Sequence, residues 1–145
     1  MNDGLEQTQR KQPFTWPVRI YYEDTDSAGI VYYANYLCYF ERARTEWLRA
    51  LGFEQTDIAA QHGVVFVVRS ITVEYLAPAR FNDALEISVE LGDVGASQIK
   101  LTQRVTRGTD KLVEAQVRLA CVNIAAMKPV RIPTIIKAKI SEITT

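Results

Sequence analysis

The sequence has little of what marks several common protein classes. Among its 145 residues there is one histidine, and basic and acidic residues number 17 each. With only His62 available, a histidine-cluster metal site is not expected, and we interpret His62 as a loop residue without a catalytic role. A formal net charge of zero gives no overall positive field to attract nucleic acid. We therefore expect no metal and no nucleic-acid partner.

Long apolar runs are also missing. None approaches the roughly 20 residues that a membrane-spanning helix needs. The opening stretch MNDGLEQTQRKQPF is polar and lacks the apolar core of a secretory signal. The two cysteines, Cys38 and Cys121, lie far apart and outside any CxxC pattern, which leaves one disulfide open but favours two buried free thiols. The sequence predicts a cytoplasmic protein with no membrane span.

The order of the hydrophobic patterns predicts an α+β fold. Residues 1–12 resemble a flexible lead, and residues 13–145 are expected to form one domain. A strand is predicted in FTWPVRIYYED, where Val18, Ile20 and Tyr22 alternate with other residues. Four more strands are predicted by period-two alternation in 70–75, 85–91, 99–102 and 113–121.

One helix separates the first strand from the others. From Tyr33 to Leu51, apolar residues recur at steps of three and four, with Arg44 as the polar exception, and Gly52 follows as a stop. This pattern predicts a mostly buried helix beginning near Tyr33, with a sheet packed around it. Such a sheet would leave open edges, which pairing with a second copy would cover. A short helical turn is expected in EQTDIAAQHG.

Negative charge is concentrated just before this helix, in EDTDSAGIVYYANY. Val31 and Tyr32 are poor N-caps, so the first N–H groups of the helix are expected to lack side-chain acceptors. Such donors, at the positive end of a helix, could bind a carbonyl oxygen that gains charge during acyl transfer. Asp26 would then act as nucleophile or general base. The alternative is that these carboxylates only stabilise turns.

Several separated motifs resemble one known family. YYEDTDSAGIVYYANYL, YFERARTEWLRALGF, VVFVVRSITVEYLAPARFNDALEI and MKPVRIP are together similar to the 4-hydroxybenzoyl-CoA thioesterase branch of the hotdog-fold superfamily, most of all to the acyl-CoA thioesterases associated with the Tol-Pal system. The resemblance implies a five-stranded antiparallel sheet wrapped around one long central helix. It also implies homodimers or homotetramers with active sites at the dimer interface, hydrolysis of an acyl-CoA to free acid and CoA, and no cofactor.

The resemblance also implies roles for particular residues. The second Asp of the family's D-x-D pattern corresponds to the catalytic Asp26, and the oxyanion donor corresponds to the backbone N–H of Tyr33. Tyr22 matches a position that shapes the site. Many members of the Tol-Pal-associated group have His where this chain has Tyr33, so any role of that His is absent here. Further candidate substrate-binding residues are Gly29, Val31, Tyr32, Asn35 and Arg69.

Other interpretations stay open at this point. A non-catalytic module that binds acyl groups or an acyl carrier protein could have the same fold, as could a dehydratase of 3-hydroxyacyl thioesters. The helix aromatics Tyr36, Phe40 and Trp47 could line an acyl pocket or simply form the core. The phosphates of CoA would need cationic partners. The candidates for these partners are Arg69, Arg80, Arg107, Lys128 and Arg131.

Overall fold

A five-stranded antiparallel sheet and three α-helices make up residues 13–142, which are the residues described by the computed structural model. The predicted lead, residues 1–12, lies outside the described residues. In chain order the elements are β1 (Phe14–Arg19), α1 (Asn35–Ala50), α2 (Gln55–His62), β2 (Val64–Tyr75), β3 (Ala84–Val94), β4 (Gln98–Arg107), β5 (Asp110–Asn123) and α3 (Thr134–Ser141).

The strand order in the sheet is β1-β3-β4-β5-β2. Each neighbouring pair is antiparallel, as the alternating patterns predicted. The two edge strands are β1 and β2, and β2 carries an irregularity in register between Val68 and Ser70. Tyr22 was expected to continue the first strand, but β1 ends at Arg19 and Tyr22 begins a short 3-10 turn, Tyr22–Asp24.

Helix α1 packs against β1 and β3 through one face. Six of its side chains are buried, and they are Tyr36, Tyr39, Phe40, Ala43, Trp47 and Leu48. Removing each large apolar side chain from water contributes roughly 1.5–3 kcal/mol to folding. Of the three aromatics whose role was open, Phe40 and Trp47 are core residues, and Tyr36 is buried but also lines a cavity described below.

The predicted start and the predicted face of this helix were both partly wrong. The helix begins at Asn35, and Tyr33 lies in the turn before it, exposed to solvent. Leu37 and Cys38 are exposed as well. Cys38 lies opposite the buried stripe, because each residue turns about 100° around the axis and Tyr36, Tyr39 and Ala43 define the buried side. Leu37 projects on the same side as the buried Leu48, eleven positions later, but it lies in the first turn of the helix and is exposed there. The expectation of two buried thiols holds for Cys121 and fails for Cys38.

Arg44, the polar exception on the apolar face of α1, is held by the sheet. Its Nη1 donates a hydrogen bond to Oε1 of Gln103, a fully buried residue of β4, at 3.0 Å. The Nε2 of Gln103 donates to the carbonyl oxygen of Phe40 at 3.1 Å. Burial lowers the pKa of Arg44. The two polar side chains thus satisfy each other between helix and sheet, where an unpaired group would be costly.

Two further helices flank the sheet. Helix α2 ends at His62, and Gly63 has the left-handed conformation typical of a helix stop, as the short helical pattern predicted. Helix α3 was not predicted, although Pro133 precedes it and its buried residues, Ile136 and Ile140, are four positions apart. No helix within residues 13–142 is both long and apolar enough to cross a membrane.

Candidate functional site

A tight turn places Asp26 at its entrance. The N–H of Asp26 donates to the carbonyl of Ile30 at 2.9 Å, and the N–H of Gly29 donates to the carbonyl of Asp26 at 3.0 Å. Gly29 has a φ of 80°, in the left-handed region. This arrangement matches a three-residue hairpin loop, in which a type I turn is followed by a left-handed residue. Glycine is favoured there because it has no Cβ to clash with the backbone.

The Asp26 carboxylate is only partly used by this turn. Its Oδ1 accepts a hydrogen bond from the N–H of Ala28 at 2.9 Å, which is the turn chemistry that the sequence left open. Its other oxygen accepts no hydrogen bond from any described residue, and the side chain is exposed. One carboxylate oxygen of Asp26 is therefore available to a substrate or a water molecule.

Asp24 has a different role, because its oxygens join the turns around it. Its Oδ2 accepts from the N–H of Tyr21 at 2.8 Å. Its main-chain carbonyl accepts from the N–H of Tyr32 at 3.0 Å and from Nδ2 of Asn35 at 3.3 Å. Asn35 thus ties the start of α1 to the acidic segment. Hydrogen bonds within the turns account for the carboxylate of Asp24, and they account for only one of the two oxygens of Asp26.

Several N–H groups at the start of α1 have no acceptor among the described residues, and those of Tyr33 and Ala34 are adjacent. No side chain of the described residues caps this helix, and Ala34 occupies the N-cap position. Within residues 13–142, the N–H groups of Tyr33 and Ala34 donate no hydrogen bond. Both lie at the positive end of the helix dipole, where an anionic oxygen is stabilised. Thr25 pairs with Val31 in an antiparallel bridge. Because Thr25 precedes Asp26 and Val31 lies two residues before Tyr33, this bridge brings the chain next to Asp26 close to the chain that leads to the two donors.

An apolar cavity of about 270 Å³ adjoins the same segment. We call it the tyrosine cavity, and its lining residues are Ile30, Val31, Tyr33, Tyr36, Tyr75, Leu76, Ala77 and Pro78. The hydroxyl of Tyr75 donates a hydrogen bond to the carbonyl of Tyr33 at 3.2 Å. Burial raises the pKa of Tyr75, and Tyr33 raises it further, so the hydroxyl keeps its proton at neutral pH. The cavity has the apolar lining that an acyl group requires.

The loop after β2 holds this segment in place. The N–H of Val31 donates to the carbonyl of Ala79 at 2.9 Å, and the N–H of Ala79 donates to the hydroxyl of Tyr36 at 3.1 Å. The loop is closed by Asp83, which accepts from the N–H of Arg80 and from Arg107, each at 2.8 Å. Although burial acts in the opposite direction, these hydrogen bonds lower the pKa of Asp83.

Most of the predicted site residues belong to one segment of the chain, positions 22–35. The ring of Tyr22 is exposed and stacks on Phe81, with centroids 3.8 Å apart. Arg69 does not join them within one chain, because no hydrogen bond, ion pair or ring contact of the described residues links it to this segment. It lies on β2 six residues before Tyr75, or about 20 Å along a strand. His62 precedes β2, still farther from Tyr75.

The basic residues considered for CoA phosphates lie in more than one place, and Arg80 is near the site because its main chain pairs with that of Ile30 and its N–H donates to Asp83. Arg107 is already paired with Asp83. Arg131 lines a separate cavity of about 440 Å³ beside α3, together with Lys137. Within residues 13–142, no cluster of His, Cys, Asp or Glu could hold a metal ion. The sequence analysis missed Tyr75 and Ala79, which reach the site from the end of β2 and from the loop after it, and no local pattern marks their contacts.

Comparison with known proteins identifies the family to which this arrangement belongs. A family model described as the Thioesterase-like superfamily matches residues 20–140, which include the acidic segment, α1 and Tyr75. The chain belongs to the Thioesterase-like superfamily. The match covers most of the described structure, and it confirms the resemblance seen in the sequence motifs.

Relatives within this thioesterase superfamily are similar over nearly their whole length. The acyl-CoA thioester hydrolase YbgC of Escherichia coli is 46% identical over 130 residues, covering 89% of this chain and 96% of the relative. The acyl-CoA thioesterase YbgC of Haemophilus influenzae is 44% identical over 125 residues, covering 86% and 92%. The crystal structure of a probable thioesterase from Bartonella henselae superposes with a TM-score of 0.80 at 34% identity, covering 84% of this chain and 100% of that one.

Proposed function

We propose that this protein is an acyl-CoA thioesterase that hydrolyses an acyl-CoA to the free acid and CoA. The observation that carries the proposal is the pair of unpaired N–H groups, those of Tyr33 and Ala34, at the start of α1 and beside the tyrosine cavity. Asp26, with one unoccupied carboxylate oxygen, lies on the same folded segment. The acyl-CoA thioesterases among the relatives support the same reaction.

In the proposed reaction, the thioester carbonyl accepts a hydrogen bond from the N–H of Tyr33. Negative charge develops on that oxygen as the carbonyl carbon becomes tetrahedral, and preorganised N–H donors stabilise it. Asp26 either attacks the carbonyl carbon, forming an anhydride and releasing the CoA thiolate, or removes a proton from the water that attacks. In the anhydride route, water then releases the acid and restores Asp26.

The exchange of the family's frequent His for Tyr33 leaves this scheme intact. The donor is a main-chain N–H, which is present with either side chain. The Tyr33 ring is 61% exposed and forms part of the cavity wall, so it would contact the acyl group or the thioester. Tyr22, Gly29, Val31, Tyr32 and Asn35 complete the proposed substrate-binding set, with Asn35 acting through its hydrogen bond to Asp24.

The proposal includes an assembly and a location. We propose that the sheet wraps around α1 in the hotdog manner and that two copies pair into a dimer, or two such dimers into a tetramer, in the cytoplasm. Arg69 is too far along β2 to serve the site of its own chain, so in the proposed dimer it would serve the site of the other copy. An acyl carrier protein is a second possible source of the thioester. A dehydratase with a His-plus-acid site is disfavoured, because His62 lies beyond the far end of β2.

The decisive experiment replaces Asp26 with Asn, which keeps the turn and removes the charge. We expect kcat for thiol release from acyl-CoAs to fall about 100-fold or more, as is typical when a general base or nucleophile is lost. Asp93→Asn, on an exposed part of β3, is the matched control and should leave kcat unchanged. Wild-type rates in Asp26→Asn would contradict the proposal and favour the non-catalytic acyl-binding module.

A labelling experiment tests the anhydride route for Asp26. In a single turnover in oxygen-18 water, an anhydride opened at its aspartyl carbonyl leaves the label in the carboxylate of Asp26, which a general base would not acquire. Water that attacks the acyl carbonyl labels only the acid product in either route, so rapid quenching and mass spectrometry of the protein, which detect an acyl adduct on Asp26, then distinguish the two.

A further inference from the structure

The carbonyl of Tyr33 lies outside the hydrogen-bond ladder of α1. The N–H of Leu37, which would reach it in a continued helix, donates to the carbonyl of Ala34 instead, at 3.1 Å. The Tyr33 carbonyl is satisfied by the hydroxyl of Tyr75 at 3.2 Å, from a position 42 residues along the chain. A side chain at the end of an edge strand therefore holds the peptide that joins Tyr33 to Ala34.

Fixing a carbonyl also fixes the N–H of the same peptide. A trans peptide is planar, and its C=O and N–H point in opposite directions. The Tyr75 hydrogen bond thus orients the N–H of Ala34. In the preceding peptide, the carbonyl of Tyr32 accepts from the N–H of Asn35 at 2.9 Å, which orients the N–H of Tyr33 in the same way. The carbonyls of Tyr32 and Tyr33 are thus held by hydrogen bonds, and the N–H groups of the same two peptides, those of Tyr33 and Ala34, point the opposite way and stay free.

The Tyr75 ring is itself held by its neighbours. It meets the Tyr33 ring edge to face, with centroids 6.3 Å apart, and the Tyr36 ring at 5.7 Å. Tyr36 is buried, and its hydroxyl accepts a hydrogen bond from the N–H of Ala79. The direction of the Tyr75 hydroxyl is therefore set by the core through Tyr36, and the turn before α1 is set by Tyr75.

We propose that Tyr75 is a positioning residue for thioester hydrolysis, whose hydroxyl holds the Tyr33–Ala34 peptide so that the N–H groups of Tyr33 and Ala34 stay aligned for the thioester oxygen. This inference rests on the proposed function. It assigns Tyr75 two separable parts: the hydroxyl orients the donors and acts on the transition state, while the ring forms a wall of the tyrosine cavity and acts on binding.

The test is Tyr75→Phe, which removes the hydroxyl and keeps the ring. We expect kcat for acyl-CoA hydrolysis to fall roughly 2- to 12-fold, the range for one lost hydrogen bond. KM, and the Kd for a non-hydrolysable thioether analogue of the acyl-CoA, should stay within about twofold because the ring remains. Thr72→Val removes another hydroxyl from the exposed part of β2 and should leave kcat and Kd unchanged.

A second measurement does not depend on activity. The order parameter of the Ala34 amide, measured by NMR relaxation on the folded variant, should be lower in Tyr75→Phe than in wild type, because the peptide is held less firmly, and unchanged in Thr72→Val. Unchanged kcat and an unchanged Ala34 order parameter in Tyr75→Phe would overturn the inference, as would a rise in Kd that accounts for the whole loss of kcat/KM.

The two proposals fail in different ways. If Asp26→Asn is inactive while Tyr75→Phe keeps wild-type kcat, only the positioning role is wrong. If Asp26→Asn keeps wild-type kcat, the proposed chemistry is wrong and the inference falls with it.

Discussion

Two carboxylates two positions apart have different surroundings in this protein. Asp24 is engaged by its side chain and its main chain, through the N–H groups of Tyr21 and Tyr32 and the amide of Asn35. Asp26 gives one oxygen to the N–H of Ala28 and keeps the other free. A turn tolerates both charges because each carboxylate accepts main-chain N–H donors, which offsets part of their repulsion.

Tyr39 shows that the same region is not fully satisfied. Its buried hydroxyl makes no hydrogen bond of good geometry with a described residue. Burial raises its pKa, and the nearby charge of Asp24 raises it further. The hydroxyl therefore stays protonated beside the Asp24–Asn35 contact.

Gly29 provides a prediction at the residue scale. Its φ of 80° is strained for any residue with a Cβ, although no atom outside its neighbours lies within 4 Å of the position a Cβ would take. We expect Gly29→Ala to lower the free energy of unfolding by about 1–2 kcal/mol through backbone strain alone. Thiol-release activity should fall as well, because the turn orients Asp26. Urea unfolding and the kcat of the folded variant measure the two effects.

A second glycine serves as the control. Gly95 lies in a turn without a positive φ, and a Cβ there would meet only ordinary contacts, 3.6 Å from the carbonyl oxygen of Gln98. Gly95→Ala should change stability by less than Gly29→Ala and leave kcat unaltered. Equal stability losses in the two variants would rule out strain at Gly29 as the cause.

At the scale of the helices and strands, the contact between α1 and β4 is unusual because polar side chains make it. A hydrophobic helix face normally needs no polar partner, yet Gln103 is fully buried and bonds both Arg44 and the Phe40 carbonyl. The contact is directional, because each group has a specific acceptor or donor. It sets the rotation of α1 on the sheet more narrowly than apolar packing alone would.

A prediction at this scale tests that contact with two variants. Gln103→Met keeps the volume of the side chain but leaves the guanidinium of Arg44 mostly buried without its acceptor. We expect the free energy of unfolding to fall by about 1–3 kcal/mol. The double variant Arg44→Met, Gln103→Met should recover part of the loss, since replacing both partners removes the unpaired charge. Denaturant unfolding measures each value, and a double variant less stable than Gln103→Met would contradict the pairing.

At the scale of the whole molecule, the edge strand β2 leaves one side of the sheet unpaired. This strand of 12 residues pairs with β5 on one side only, and Val68, near its centre, is 45% exposed. Leu37 and Cys38 on α1 are exposed as well. Long edge strands with apolar residues are prone to pair with another chain. This edge is where we expect the proposed dimer to form.

Lysine on this edge gives a test of assembly. We expect Val68→Lys to shift the mass measured by light scattering toward that of a monomer, because the charge would be buried in the dimer. Asp93→Lys introduces the same side chain on β3, an interior strand of the sheet, and should leave the mass of the wild type unchanged. A wild-type protein that is monomeric at micromolar concentration would contradict the dimer itself.

The sequence by itself determined the five strands and the helices α1 and α2, although it did not predict α3. Period-two alternation predicted the strands, and spacing of three and four predicted α1, because each reflects which side chains leave water within one element. The resemblance of the motifs also predicted the superfamily. The start of α1 and the exposure of Leu37 and Cys38 were not predicted, since apolar residues surround the helix on nearly every side and the pattern does not define the buried face.

Only the tertiary structure decided which distant groups complete the site. Tyr75 holds the Tyr33 carbonyl, Ala79 holds Val31, and Gln103 holds Arg44, each across more than 40 residues of chain. Such contacts depend on strand order and register, which bring the end of β2 beside the start of α1. A local pattern records the preference of a residue for water or core, but it carries no record of which partner the folded chain will place against it.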